Sequence, residues 1–214
     1  AEKAKALEME RRQLEAEKNI VEAELKESRV AIMLSQIQPH FIYNTLGTIQ
    51  QLCKQDPEQA ARLVQNFSVY LRGNFSELDS TVPIRFAKEL EHVHCYTEIE
   101  LIRFPDMTVR YDIQTEEFLL PALTVQPLVE NAIKYNVPGG QVTVTTRQEG
   151  DWVCLEVSDT GVGIPETDRN RIFERFYRVD KARSRDAGGT GLGLSIVRDT
   201  VRLYGGTISV APNE

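Results

Sequence analysis

Hydrophobic and polar positions divide the chain into two textures. Up to about residue 79, apolar residues recur at three- and four-residue spacing, the signature of one-sided helices. From Ser80 onward that spacing is interleaved with runs of period two, the signature of half-buried strands. Within residues 1 to 28, Leu7, Leu14 and Val21 stand one heptad apart, and no Gly or Pro interrupts them. Leu25 and Ile32 fill the second apolar heptad position, but Arg11 and Lys18 hold it earlier, so the seam is imperfect. Two readings stay open. A parallel coiled coil is favoured, because so charged a helix has little to bury alone; the other is a single solvated helix carrying pairs such as Glu8 with Arg12 and Glu22 with Lys26.

Helical spacing continues through Ile32, Met33, Ile37, Phe41, Ile42 and Leu46 to about Lys54, with Pro39 inside it. Proline lacks a donor and crowds the preceding turn, which predicts a kink beside His40. Asp56-Pro57 predicts a turn and a new helix start, after which Ala61, Val64, Phe67, Ser68 and Leu71 recur at helical spacing. Neither helix of such a hairpin hides its apolar stripe alone, so two copies are expected to pair as a four-helix bundle. Farther on, Ala87 to Ile102 reads as a helix, Thr108 to Ile113 as a strand and Leu123 to Tyr135 as an apolar helix. Gln141 to Arg147 and Trp152 to Ser158 alternate around Glu149-Gly150-Asp151, a hairpin. Leu192 to Tyr204 reads as a helix, and Thr207 to Val210 opens a strand. The fold class expected is α+β, with a coiled coil over 1–29, a helical hairpin over 30–79, and a helix-covered sheet over 80–214.

Charge changes this picture at one place. The chain carries −7 overall, yet residues 169–185 hold seven basic against two acidic residues, +5, which leaves −12 for the rest. General acidity argues against nucleic-acid binding, whereas a concentrated basic loop in an acidic protein points to a compact polyanion. No apolar run approaches the roughly 20 residues needed to span a bilayer, and no signal-peptide pattern opens the chain. Cys53, Cys95 and Cys154 are odd in number and far apart, which fits neither a disulfide framework nor a Cys-x-x-Cys metal site. A reducing, cytoplasmic setting is expected.

Candidate chemistry gathers around that basic loop. Asp159-Thr160-Gly161-Val162-Gly163 follows a strand, and Gly188-Gly189-Thr190-Gly191-Leu192-Gly193 opens a helix. Glycines let backbone approach an anion, and a helix N-terminus offers it unpaired N–H groups and a positive dipole end. Each cluster alone has an ordinary explanation as a turn; together they bracket the basic stretch. The order is not that of a Rossmann unit, and no Walker lysine follows the glycines. Upstream, Gln126-Pro127-Leu128-Val129-Glu130-Asn131-Ala132-Ile133-Lys134-Tyr135 places an amide, an ammonium and an aromatic ring on neighbouring turns of one helix.

These elements, with Phe173-Glu174-Arg175-Phe176-Tyr177-Arg178, resemble the N, G1, F and G2 boxes of the ATP-binding fold shared by histidine kinases, gyrase-type ATPases and Hsp90 chaperones, over about residues 81–211. The resemblance implies ATP and Mg2+ as cofactors. Asn131 would ligate the metal, with Glu130 beside it as a catalytic residue, and Lys134 and Tyr135 would line the nucleotide site. Asp159 would bind the adenine amino group, Gly161 and Gly163 would shape its pocket, and Arg178 would meet the terminal phosphate. Gly189, Thr190, Gly191, Leu192 and Gly193 would close over the phosphates, with residues 165–190 as a lid.

Gln36-Ile37-Gln38-Pro39-His40-Phe41-Ile42-Tyr43-Asn44 resembles the phosphoacceptor box of LytS/YesM-like sensor histidine kinases, and Gln126 to Asn131 has that family's form of the N box. By this resemblance His40 is phosphorylated from ATP, and the phosphoryl group passes to an aspartate of a response regulator receiver domain. The protein would be a homodimer and the cytoplasmic fragment of an inner- or plasma-membrane sensor, attached through an absent N-terminal region. Histidine suits the task because imidazole, with a reference pKa of about 6.5, is mostly an unprotonated nucleophile near neutrality. Asn44, one turn beyond His40, could position a water for phosphatase chemistry. Two departures stand out. Phe41 occupies the place of the acidic residue that follows the phosphoacceptor in the common histidine-kinase family, so no base is assigned. Arg171 to Gly205 resembles that common family instead, so the chain reads as a mosaic or a fusion, and it ends before the Gly-rich last strand both families carry. Two competitors remain, an ATPase used as a conformational clamp and a coiled-coil module that only senses nucleotide. Pro127 stands where clamp ATPases carry a glutamate, which counts against the first.

Overall fold

Asp56 ends one helix and starts the next. In the computed structural model, which describes residues 39–76, 82–179 and 190–212, α1 spans Pro39–Gln55 and α2 spans Pro57–Ser76. The Asp56 carboxylate accepts the Gln59 N–H at 2.9 Å, an N-cap, and Pro57 sits where its missing donor is harmless. The coiled coil, the chain leading into Pro39 and Gly189 lie outside the described residues.

The buried face of α2 is Ala60, Leu63, Phe67 and Tyr70, packed with Phe41 and Leu52 of α1. Of the stripe read from spacing, only Phe67 is buried; Ala61, Val64 and Ser68 are exposed and Leu71 is half-buried. Apolar residues lie on two sides of this helix, and spacing alone does not say which side has a neighbour. That neighbour is α3 (Phe86–Arg103), which brings Val93, Tyr96 and Ile99 to the same core.

Two small sheets complete the frame. β1 (Ile84–Arg85) pairs antiparallel with β3 (Leu119–Leu120), beside stacked Phe86 and Phe118 rings 4.7 Å apart. The larger sheet has strand order β2-β4-β5, with β2 (Thr108–Ile113) parallel to β4 (Gln141–Glu149) and β4 antiparallel to β5 (Trp152–Asp159). Alternation buries Val142 and Val144 of β4, and Val109 and Tyr111 of β2 pack beside them. The expected hairpin turn is present, with Gly150 left-handed at φ 62°. α4 (Gln126–Lys134) and α5 (Gly193–Leu203) complete the layer. The result is α+β, N-terminal helices followed by an α/β sandwich.

Two predicted elements are corrected. The helix read from Leu123 begins only at Gln126, because Leu123 is left-handed at φ 59° and Glu89 takes the N–H groups of Leu123 and Val125. Thr207 to Val210 alternates but forms no strand: a strand exists only where a neighbour pairs its backbone, and these residues join no ladder.

Candidate active site

The site is built on α4, and α4 is held from below by a buried carboxylate. Glu89 of α3, with no exposed surface, accepts the N–H groups of Leu123 at 2.9 Å, Val125 at 2.9 Å and Gln126 at 3.2 Å. The Val125 and Gln126 groups are orphan donors of a helix start, and a carboxylate there also meets the positive end of the helix dipole. Burial raises the Glu89 pKa, while the three N–H groups and His92 oppose the rise. Nothing local in the sequence marked Glu89, which acts across more than thirty positions.

On α4, Asn131 donates its amide nitrogen to the Pro127 carbonyl at 2.8 Å. That bond fixes the carboxamide, because a carbonyl can only accept, and so it turns the Asn131 oxygen away from the helix backbone. An oriented amide oxygen is the donor a hard cation takes, so Asn131 fits magnesium. One turn on, Lys134 is half-buried with its ammonium 5.4 Å from the Tyr135 ring centroid. Burial, then repulsion from Arg178, lowers the Lys134 pKa, and Glu130 opposes the fall. Lys134, Arg178 and Glu130 are thus brought together. Glu130 itself also turns toward α2, where it meets Tyr70.

The turn after β5 closes onto the end of α4. Asp159 Oδ1 accepts the Gly161 N–H at 2.8 Å, and the Val162 N–H reaches the Tyr135 carbonyl at 3.2 Å. A Cβ on Gly161 would lie 2.5 Å from that carbonyl and 2.7 Å from Asp159, so only glycine fits. Gly163 needs glycine for another reason, its left-handed φ of 69°. Asn136 was not singled out from sequence, yet it stitches the junction. Its amide reaches the Gln141 carbonyl at 3.1 Å, and its oxygen accepts from the Val137 N–H and the Thr160 hydroxyl. Its position directly after the helix motif and just before Gly139-Gly140 was the available signal.

The third wall is the loop preceding α5. The Phe176 N–H donates to the Gly191 carbonyl at 2.9 Å, and Gly191, left-handed at φ 70°, lies against Phe176 and Tyr177 backbone with no room for a Cβ. Leu192 is buried and accepts from Ser195, and Gly193 packs on Pro127 of α4. Thr190 is exposed. Arg175 pairs with Asp199 of α5 at 3.2 Å, the Tyr177 hydroxyl donates to Asp168, and the Arg171 guanidinium lies over the Tyr177 ring.

His40 is exposed near the start of α1, and the Asn44 amide lies 3.1 Å from both of its ring nitrogens, one helical turn away. Its neighbour Phe41 points the other way, buried against Tyr70 and Tyr96 with ring centroids 4.7 and 5.2 Å distant. Phe41 is thus an anchor that ties the histidine-bearing helix to α2 and α3. A groove of about 1030 Å3 between α1, α2 and α3 is lined by Gln51, Gln55, Arg62 and Glu98, and none of the nucleotide-site candidates contributes to it. Among the described residues no helix is long and apolar enough to cross a membrane, and no His, Cys, Asp and Glu cluster is arranged for a metal.

An exposed histidine on a helix anchored to a glycine-walled α/β sandwich is the arrangement of a sensor histidine kinase, and the chain belongs to that family. Residues 28–108 match the histidine kinase family, and residues 119–214 match the family of histidine kinase-, DNA gyrase B- and HSP90-like ATPases. Among individual relatives, sensor histidine kinase BtsS of Escherichia coli is 35% identical over 182 residues, covering 81% of this chain and 32% of that protein. Signal transduction histidine-protein kinase ArlS of Staphylococcus aureus is 50% identical over 82 residues, 38% of this chain and 18% of that protein. The chain therefore spans about a third or less of the length of these relatives. The catalytic domain of histidine kinase ThkA shares the fold, with a TM-score of 0.50 at 21% identity over 62% of this chain and 88% of that one.

Proposed function

We propose that this chain is the catalytic portion of a two-component sensor histidine kinase (EC 2.7.13.3), which phosphorylates His40 from ATP and passes the group to an aspartate of a response regulator receiver domain. The observation that carries the reading is the exposed His40 imidazole, beside Asn44 on a helix whose residue Phe41 is locked into the core against Tyr70 and Tyr96. An unprotonated His40 nitrogen attacks the γ-phosphorus, the bond to the bridging oxygen breaks, ADP departs, and the exposed imidazole gives its remaining ring proton to solvent. The Asn44 amide can donate only to the lone pair of that unprotonated nitrogen, so it orients the ring beforehand and releases it as the attack begins. Lys134 and Arg178 meet phosphate charge, Asp159 takes the adenine amino group, and Gly161 and Gly163 leave room for the base. Mg2+, held by Asn131, would neutralise phosphate charge when bound. Alignment and charge neutralisation are most of what phosphoryl transfer asks of a protein, so the lack of an acidic residue at Phe41 is tolerable.

In this reading residues 1–29 are the signalling coiled coil, 30–79 the dimerisation and phosphotransfer hairpin, and 80–214 the ATP-binding domain. Tyr43, Leu46 and Val64 leave exposed apolar surface on the hairpin, which supports a homodimer through the helices. The chain acts in the cytoplasm, joined to a membrane sensor region through its N-terminal side. Incubation with γ-labelled ATP and magnesium should give label stable to base and lost in acid. His40→Gln should abolish it while nucleotide binding persists; label retained in that variant overturns the assignment.

A further inference from the structure

Between α2 and α4 lies a closed ring of polar contacts that no step above uses. The Tyr70 hydroxyl donates to Glu130 Oε1 at 3.5 Å, and Gln126 Nε2 donates to the same oxygen at 2.8 Å. Gln126 Nε2 also reaches Asn74 Oδ1 at 3.1 Å, and the Asn74 amide returns to the Tyr70 carbonyl at 2.8 Å. Two members come from the hairpin and two from the helix that carries Asn131 and Lys134.

Its setting argues for a role. Tyr70, Asn74 and Gln126 are 1, 4 and 3% exposed, and the Gln126 carbonyl oxygen has no hydrogen-bond partner in the structure. Apolar residues would fill this interface at lower cost, since a buried polar group left unpaired is expensive. What a polar ring adds is one fixed orientation of two packed elements. Here it fixes Glu130, which attracts Lys134 one turn along. On the other side the Tyr70 ring packs at a tilt against Phe41, the residue next to His40, with ring centroids 4.7 Å apart. Burial and then Glu130 push the Tyr70 phenol well above its ordinary range, so it stays a donor.

We propose that Tyr70 is a positioning residue for phosphoryl transfer: its ring holds the His40 end of α1 through Phe41, and its hydroxyl holds Glu130 and with it Lys134, so that acceptor and phosphate site are registered through one side chain. This rests on the kinase reading above. The long Tyr70 to Glu130 contact is the joint.

The test uses the full chain with ATP and magnesium, reading the initial rate of acid-labile labelling and, separately, nucleotide affinity. Tyr70→Phe keeps the ring and removes the joint; it should lower the maximal labelling rate about tenfold while ATP affinity and KM stay within about twofold. Gln126→Met, which opens the ring from α4 without touching the aromatic cluster, should show the same split. In a Glu130→Ala background Tyr70→Phe should have no further effect, since both act through one contact. A Tyr70→Phe rate within twofold of wild type, a loss expressed in KM or affinity, or effects that multiply with Glu130→Ala would each overturn the positioning role. A wild type lacking acid-labile label would remove the kinase reading itself and this proposal with it, whereas normal wild-type labelling with an unaffected Tyr70→Phe overturns only the proposal.

Discussion

The turn after β5 and the loop before α5 both bring glycines to α4, but they are held by different means. The first is fixed by backbone and short side chains: Asp159 on the Gly161 N–H, Val162 on Tyr135, and Thr160 exchanging bonds with Gln141. Among the described residues, the second is held by the backbone bond from Phe176 to Gly191, by Gly193 on Pro127, and by long side chains at the surface, with Arg175 68% and Asp199 39% exposed in their ion pair. Exposed pairs contribute little, and long side chains lose entropy in making them. On the kinase reading proposed above, the base-binding end would be formed in advance, whereas the phosphate end would bring together Lys134 and Arg178, whose mutual repulsion an anion would relieve. On that reading, a site so divided would recognise its nucleotide at one end and do chemistry at the other.

The largest effect expected tests the division directly. Asn131→Ala removes the oriented amide oxygen and should lower His40 labelling on the order of a thousandfold, as several kcal/mol of lost charge stabilisation implies. Binding of an adenine nucleotide without magnesium should change little. If magnesium-free binding fell as far as the rate, the two ends would not be separable.

Next in size is Gly161→Ala. The added Cβ would sit 2.5 Å from a backbone carbonyl and 3.0 Å from the Asn136 Cα, neither of which can move alone. Overpacking of about 1–3 kcal/mol is the usual cost. Equilibrium binding of a fluorescent adenine nucleotide should weaken by about tenfold or more, while label transfer at saturating ATP falls less. Unchanged affinity would show that this turn yields and was not formed in advance.

Lys134 gives the phosphate end a pH signature. Its pKa is lowered, chiefly by burial and then by Arg178, so the ammonium is lost at lower pH than for an ordinary lysine. Since on the proposed reading the charged form meets phosphate, the labelling rate should fall as pH rises through that lowered value. Lys134→Arg, whose guanidinium stays protonated, should move the alkaline limb upward. The same shift affects folding with the opposite sign: in that window the unfolded chain binds more protons, so Lys134 makes stability rise with pH. A pH–rate profile identical in both proteins would remove Lys134 from the phosphate end.

What could be read from sequence was local. Asp56-Pro57, the Gly150 hairpin, the Asn131 helix except for its first turn, and the spacing of His40 and Asn44 are each settled within a turn or two, and the structure places them where the pattern said. Glu89 under α4 and Tyr70 against Glu130 join residues 36 and 60 positions apart, as with the Val125 N–H and Glu130 Oε1. No periodicity reports such pairs, because spacing says which side chains share a face and not what lies across from it. The exposed Val64 and the unpaired Thr207 to Val210 are the same lesson in reverse. Asn136 was within reach, since an asparagine closing a helix beside two glycines is a junction by its chemistry.

The smallest effect is expected at Arg175, and it is the sharpest check on the comparison. Asp199 accepts from Arg175 at 3.2 Å and from its neighbour Arg198 at 2.7 Å, and those bonds, Arg198 foremost, hold its carboxyl below the usual range. Removing Arg175 therefore leaves Asp199 still paired and strips only an exposed contact worth about 0.2–1 kcal/mol. Arg175→Ala should slow labelling by less than about fivefold, leave nucleotide affinity and melting temperature near wild type, and lose even that difference in high salt, where wild type has already been screened down to it. A large loss that survives high salt would mean that the loop before α5 is as firmly built as the turn after β5, and that the ends of the site are alike.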